Sequence, residues 1–465
     1  MQNFWEFSAW GFITLMGTLL ISLLLANVVK KKTPFLRDSL IPTSVLGGAM
    51  LLILASLYEL ITGDIFFNTA YFGGNGAAEL EVITYHALAL GFIATAFKSP
   101  KTKHNLVRGG EIFDTGVTTV SSYLLQGIFG LGLTLLLSLL ISGLFPAAGL
   151  LLPFGYGQGT GQALNYGTIY ETEYGFVGGR SFGLTIAALG FLSAAIGGVI
   201  HLNILKRRGK VIVHEDDRAP TMNAEEIQGE DEIPMNGSVD KLSIQFGFVF
   251  GAYMLAHGLM ILLSKVLPSL ETLLYGFNFL IGVLVATIFR TACNLMRRRG
   301  IMKKQYVNGF LMDRVSGFCF DIMVVAGIAA IRLELVAGYW WILLVLGVLG
   351  AILTYFYNRF VARRLFPSYT EEQFLVMYGM LTGTASTGII LLREIDPDYQ
   401  TPAADNLVYQ NFPAILFGFP LMLLANLAPT EPTLTLAILA AFFLVMNLIL
   451  FRRQLFGKKR RKGKE

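Results

Sequence analysis

Apolar residues along this chain gather into runs long enough to cross a lipid bilayer, separated by short polar connections. A helical crossing needs about 20 mostly apolar residues. Eleven stretches meet or approach that length: 10–29, 40–58, 82–97, 115–142, 181–205, 243–264, 273–290, 308–331, 336–358, 405–427 and 433–451. They predict an all-α polytopic membrane protein. Two Gly/Ser/Thr-rich segments interrupt the pattern. Gly155 to Gln162 lies between the fourth and fifth runs, and Thr382 to Gly388 between the ninth and tenth. A polar, acidic stretch over 211–241 reads as a flexible cytoplasmic linker. It divides a first repeat (1–210) from a second (242–428), and 429–465 holds the eleventh run and a basic tail.

Composition supports the membrane reading. Of 465 residues 54% are hydrophobic and 14% charged, and mean hydropathy is +0.60; a soluble domain carries about 25% charged residues. Basic residues cluster after every other run: Lys30 to Arg37, Lys98 to Arg108, Lys206 to Lys210, Arg297 to Lys304, Arg359 to Arg364, and the tail after Arg452. Positive charge marks the cytoplasmic side. The expected N-terminus is therefore outside and the C-terminus inside a bacterial inner membrane. No nucleic-acid partner is expected. The first run lacks a basic region before it and is followed by Lys30, Lys31 and Lys32, which predicts a retained span. The two cysteines, Cys293 and Cys319, indicate no disulfide framework.

The first five runs then begin outside and the next five begin inside. Each set has its Gly/Thr segment after its fourth run. One segment is expected to dip in from outside and the other from inside, as in inverted-topology repeats of five spans with re-entrant segments. The eleventh span falls outside the duplication.

Irregular backbone at membrane depth must line a cavity or be buried in protein. Glycines at 155, 157, 159 and 161 suit a tight loop followed by a short helix whose N–H groups can hold a carboxylate. The substrate-binding candidates here are Gln158, Gly159, Thr160, Gly161 and Asn165, with Gln162 as a further amide. In the second segment they are Gly383, Thr384 and Ser386. Thr382, Thr384 and Thr387 add hydroxyls that suit sodium as a coupling ion. Either segment alone also fits a small-residue packing face between helices. Asp321 lies mid-span, where an ionisable residue is costly and suggests function; it can bind an ion, meet a substrate amine or form a packing pair. Asn411 precedes Pro413, which interrupts the tenth run, and can face the cavity. No nucleophile–base set or metal-ligand cluster emerges, so an enzyme and a bound cofactor are not expected.

The run Ile41 to Gly48, the run Gly157 to Gly161 with Glu173 to Phe176, the stretch from Ser181 to Gly198, and the run Leu381 to Gly388 together resemble the bacterial glutamate:sodium symporter family. The resemblance covers about the first ten spans. It implies an inverted-repeat secondary active transporter, usually a homodimer, that moves glutamate inward with sodium. Gly159, Thr160 and Gly161 would form its first re-entrant tip, and Gly383 and Thr384 its second. Sodium-coupled uptake of glutamate or a related carboxylate is thus the leading expectation. A proton-coupled or exchange carrier for an organic anion, and a non-transporting membrane scaffold or sensor, remain open beside it.

Overall fold

The apolar runs fold as helices. In chain order the principal ones are α1 (Phe7–Lys32), α2 (Thr43–Thr62), α3 (Gly76–Phe97), α4 (Leu106–Ser138), α5 (Leu151–Tyr174), α6 (Gly179–Arg207), α7 (Lys241–Val266) and α8 (Asn278–Arg298). There follow α9 (Gly309–Ala329), α10 (Trp340–Leu365), α11 (Thr370–Thr382), α12 (Ala385–Arg393), α13 (Ala403–Tyr409), α14 (Asn411–Leu427) and α15 (Pro432–Leu450). This computed structural model describes residues 5–38, 40–97, 106–208, 232–234, 239–268, 271–396 and 400–456.

Among the described residues, nine helices are long and apolar enough to cross a membrane, or ten if α13 and α14, bent by 50° at their junction, form one span. Eleven were expected. The difference is the eighth: α9 is helical over 21 residues but carries Asp313, Arg314 and Asp321, a charge load that removes it from the apolar class. The protein is an all-α polytopic membrane protein. Most of the linker expected at 211–241 lies outside the described residues. Its far end is fixed: Glu232 bridges Gln305 and pairs with the buried Lys241 at 2.8 Å.

Two compact units emerge, and neither coincides with a half of the sequence. The first holds residues 1–33, 42–103 and 215–332; the second holds 34–41, 104–214 and 333–465. Each draws helices from both sides of the linker, so the repeats and the compact units are two different divisions of the chain.

In the first unit α3, α7, α8 and α9 pack around Ile93, Phe97, Val249, Ala286, Met312 and Val315, and α1 and α2 pack against each other, with α2 also against α9. Small residues bring α2 and α3 close to α9. A Cβ on Gly48 would stand 2.8 Å from Ile328 Cβ, and one on Gly91 2.7 Å from the Phe320 ring. Asn308 caps α9 by accepting from Leu311 N–H at 2.7 Å, satisfying one of the donors that a helix start leaves open.

In the second unit α4, α5, α6, α10, α14 and α15 share the larger core, which includes Leu124, Leu131, Phe154, Tyr166, Phe182, Leu346, Leu421 and Leu439. The eleventh run, expected to stand outside the duplication, is built into this unit. α15 packs along α4. Tyr357 donates to Asn447 Oδ1 at 2.9 Å, and Arg452, just after α15, pairs with Asp114 of α4 at 2.7 Å.

Candidate functional site

Both Gly/Thr segments turn out to be tips of helical hairpins, and both hairpins belong to the second unit. In α5 the backbone leaves helical geometry only at Gly159, with φ 79° and ψ −169°. Phe154 before the break and Tyr166 after it stack with ring centroids 4.0 Å apart. Twelve residues of straight helix would separate them by about 18 Å, so the chain reverses at Gly159. The second segment does the same. α11 ends at Thr382 and α12 begins at Ala385. A Cβ on Gly379 would lie 2.7 Å from Gly388 Cα, and one on Gly388 2.5 Å from Val376 O. The two arms are therefore in backbone contact, with Gly383 and Thr384 at the turn.

The sequence pattern suggests a loop over the whole Gly155 to Gly161 run. Instead, one glycine breaks the helix and its neighbours serve packing. A Cβ on Gly155 would meet Ile186 at 2.6 Å, and one on Gly157 would collide with the Tyr123 ring. The packing and tip readings of this run thus both hold, at different residues.

α4 and α6 tie the two tips together. On α4, Tyr123 donates to Gly157 O at 3.0 Å, a carbonyl that the break at Gly159 strips of a regular helical partner. One turn later Gln126 Nε2 donates to Leu381 O at 2.9 Å, in the last turn of α11. Carbonyls in a last helical turn lack intrahelical donors. On α6, Ser193 O accepts from Tyr378 of α11 at 3.0 Å, and Ser193 Oγ lies 3.0 Å from the hydroxyl of Tyr156 in α5. Tyr156 also donates to Gly347 O at 2.6 Å. Gly190 sits under both hairpins: a Cβ there would collide with Thr382 O and stand 2.9 Å from the Tyr156 ring.

The arm of α5 beyond the tip hangs on α14. Tyr166, Tyr170 and Tyr174, spaced one turn apart, donate to Met422 O, Ala425 O and Asn426 O at 3.0, 2.8 and 3.0 Å. At the start of α11, Glu371 is clasped by Arg359, whose two terminal nitrogens lie 2.6 and 2.5 Å from its two oxygens, and by His201 Nε2 at 3.0 Å. His201 Nδ1 is 2.7 Å from the Tyr355 hydroxyl.

Glu371 precedes the apolar part of α11 and lies outside the long apolar helices. Burial alone would raise its pKa. Hydrogen bonds from His201 and Arg359 and the Arg359 charge outweigh that and hold the carboxyl at about 2. A folded-state pKa below the unfolded value means stabilisation at neutral pH that fades as pH falls. The window runs from the unfolded value of about 4.3 down through about 2. Melting temperature should fall across that window, and less steeply in Glu371→Gln. Parallel pH profiles for the two proteins would show that this clasp carries no such dependence.

The expected site residues separate as follows. Thr160 and Gln162 are fully buried just after the first turn, and Asn165 is nearly so, with its Nδ2 3.4 Å from Gln162 Oε1. Gly161 is buried beside them, and Gln158, just before Gly159, is half-buried. Gln162 Nε2 has no hydrogen-bond partner among the described residues. Thr382 Oγ1 donates to Tyr378 O at 2.7 Å, which leaves its lone pairs as acceptors. Thr384 caps α12, its Oγ1 3.4 Å from Thr387 N and 3.2 Å from Thr387 Oγ1. The Ser386 side chain lies outside the described residues. Asp321 belongs to the first unit, where Ser44 hydrogen-bonds it; the constellation within the second unit does not include it. Asn411 accepts from its neighbour Gln410 at 3.1 Å and donates to Val408 O at 3.3 Å. It is Gln410, fully buried, that reaches inward: it accepts from Thr119 at 2.8 Å and its Nε2 lies 3.2 Å from Met380 Sδ.

Sequence reading missed α4. Thr115, Thr119, Ser122 and Gln126 repeat at intervals of three and four and are all buried. That spacing draws one polar stripe along a helix, and it was visible in the fourth run. Thr115 accepts from Gln373 of α11 at 3.2 Å, and Ser122 Oγ lies 3.4 Å from Asn358 Oδ1 of α10.

Among the described residues there is no group of three or more His, Cys, Asp or Glu placed to hold a metal ion. The oxygen donors near the tips are amides, hydroxyls and carbonyls. No protein-family model matches the chain, and no curated protein matches it.

Proposed function

We propose that this protein is a secondary active transporter that takes up glutamate or a related carboxylate with sodium. The observation that carries the reading is the pair of hairpin tips tied from one face of α4 and one face of α6 within a single unit. Paired discontinuous helices form substrate and ion sites in transporters. The helix that restarts after Gly159 presents its first N–H groups and the orphan amide of Gln162, a combination that suits a carboxylate. The carbonyl end of α11 and the hydroxyls of Thr382, Thr384 and Thr387 suit a hard monovalent cation. On this reading the chain is a divergent relative of the glutamate:sodium symporters. Its five-span repeats are inverted, its N-terminus is outside, its tail is cytoplasmic in a bacterial inner membrane, and it works as a homodimer.

Reconstituted vesicles with sodium and proton gradients imposed separately test this, using a panel of dicarboxylates and amino acids. Uptake should require the inward sodium gradient; glutamate uptake that persists without sodium sinks the symport reading. Thr160→Ala and Thr384→Ala should each weaken apparent substrate or sodium affinity by about 10- to 100-fold, the worth of a hydrogen bond to a charged group. Unchanged values in both would remove those hydroxyls from the site. The His201–Glu371 pair at the base of the second hairpin favours proton coupling as the second reading, and the same vesicles separate the two.

A further inference from the structure

We propose that Gln126 of α4 is a side-chain ligand of the coupling cation, bound at the carbonyl end of α11. The inference rests on the transport reading above and assigns a residue that the sequence did not single out.

Gln126 is 1% exposed. Its Nε2 lies 2.9 Å from Leu381 O and 2.9 Å from Thr354 Oγ1. A carbonyl can only accept, and Thr354 Oγ1 spends its own proton on Gly350 O at 2.7 Å. Both neighbours therefore require the amide nitrogen, which fixes the side chain's orientation. Oε1 is left buried with no hydrogen-bond partner among the described residues. An orphan buried acceptor costs about 1–3 kcal/mol and calls for an explanation.

The surroundings supply one. α11 is a 13-residue helix ending here, and a helix C-terminus carries a partial negative charge on its open carbonyls. Leu381 O keeps a second lone pair beyond the one Gln126 engages. Thr382 Oγ1 points its proton at Tyr378 O, so its lone pairs are available too. The set is therefore made of neutral oxygens. Neutral hard donors suit an alkali cation, whereas calcium sites use carboxylates. A cation at Oε1 would also couple the hairpins, because Tyr123 holds Gly157 O of the first hairpin one turn away on the same helix.

The test uses the full-length purified protein. Sodium chloride is titrated against potassium and choline chlorides at constant ionic strength, and thermal unfolding is followed. The expected result is a saturable, sodium-specific rise in melting temperature. In Gln126→Met, which keeps length but removes the amide, half-saturation should move at least about tenfold, the equivalent of 1.4 kcal/mol. Gln126→Glu keeps an oxygen and adds charge, so it should bind sodium more tightly above the pKa of the new carboxyl. A folded Gln126→Met with the wild-type midpoint overturns the proposal. If that variant does not fold, an unchanged midpoint in Gln126→Glu overturns it. Sodium-driven uptake together with unmoved midpoints would leave the transport reading standing and remove Gln126. Uptake indifferent to sodium with a lost midpoint would do the reverse, leaving a structural cation site.

Discussion

Gly159→Ala is expected to cost the protein about 1–3 kcal/mol of stability and most of the uptake proposed for it. Gly159 sits at φ 79° and ψ −169°, a backbone region that is essentially closed to residues with a Cβ. Relief of the strain requires the turn to open, and the turn is where Phe154 and Tyr166 are brought into stacking contact. Opening it shifts the donors of Thr160, Gly161 and Gln162 together. Misplacing binding groups by about 1 Å can cost on the order of 100-fold in rate. Melting temperature and vesicle uptake measured side by side check this. Gly251, in α7 of the first unit, faces open space: a Cβ added there would meet nothing within 4 Å. Gly251→Ala therefore provides the control and should leave both values near wild type.

The second large effect should come from a helix that holds no tip of its own. Gly190→Ala on α6 would drive a methyl group into Thr382 O and to 2.9 Å from the Tyr156 ring. Neither neighbour can step aside cheaply. Thr382 O is backbone at the end of α11, and the Tyr156 hydroxyl is held by Gly347 O at 2.6 Å. Overpacking of this kind costs about 1–3 kcal/mol, and here the strain falls on both hairpins at once. Sodium response and substrate response should therefore decline together. A variant that lost one and kept the other would show that α6 does not support the tips jointly. Full retention of both would remove α6 from the site.

Much of this architecture was legible in the sequence, for physical reasons. Long apolar runs report helices directly, and the two interruptions stood where the structure has its hairpin tips. The details failed where they depended on partners. Four alternating glycines say nothing about which one breaks the helix; that depends on Tyr123 and Ile186, which claim Gly157 and Gly155 for packing. The spacing of the stripe on α4 was visible, but it reads equally as helix-internal because threonine and serine hydroxyls can bond their own helix. Thr115 does so with Glu111 O at 2.8 Å and Ser122 with Thr118 O at 2.9 Å, and such residues barely disturb an apolar run. At the bend between α13 and α14, the sequence pointed to Asn411, whereas Gln410 is the residue turned inward; one residue is about 100° around a helix. Asp321 looked functional because charge in a span is costly, and Ser44 answers part of that cost within the first unit.

The interleaving of the two units has a consequence for how the protein is made. Residues reach the membrane in order from the ribosome. α1, α2 and α3 arrive first, yet their unit is completed only by α7, α8 and α9, which end at Ala329. The second unit starts with α4 and closes only with α15, at Leu450. The first unit cannot close until α4, α5 and α6 of the second have been threaded in, and the second cannot close until α7, α8 and α9 of the first have followed. Both must wait through an interval of partly satisfied apolar faces, which the bilayer, unlike water, can tolerate.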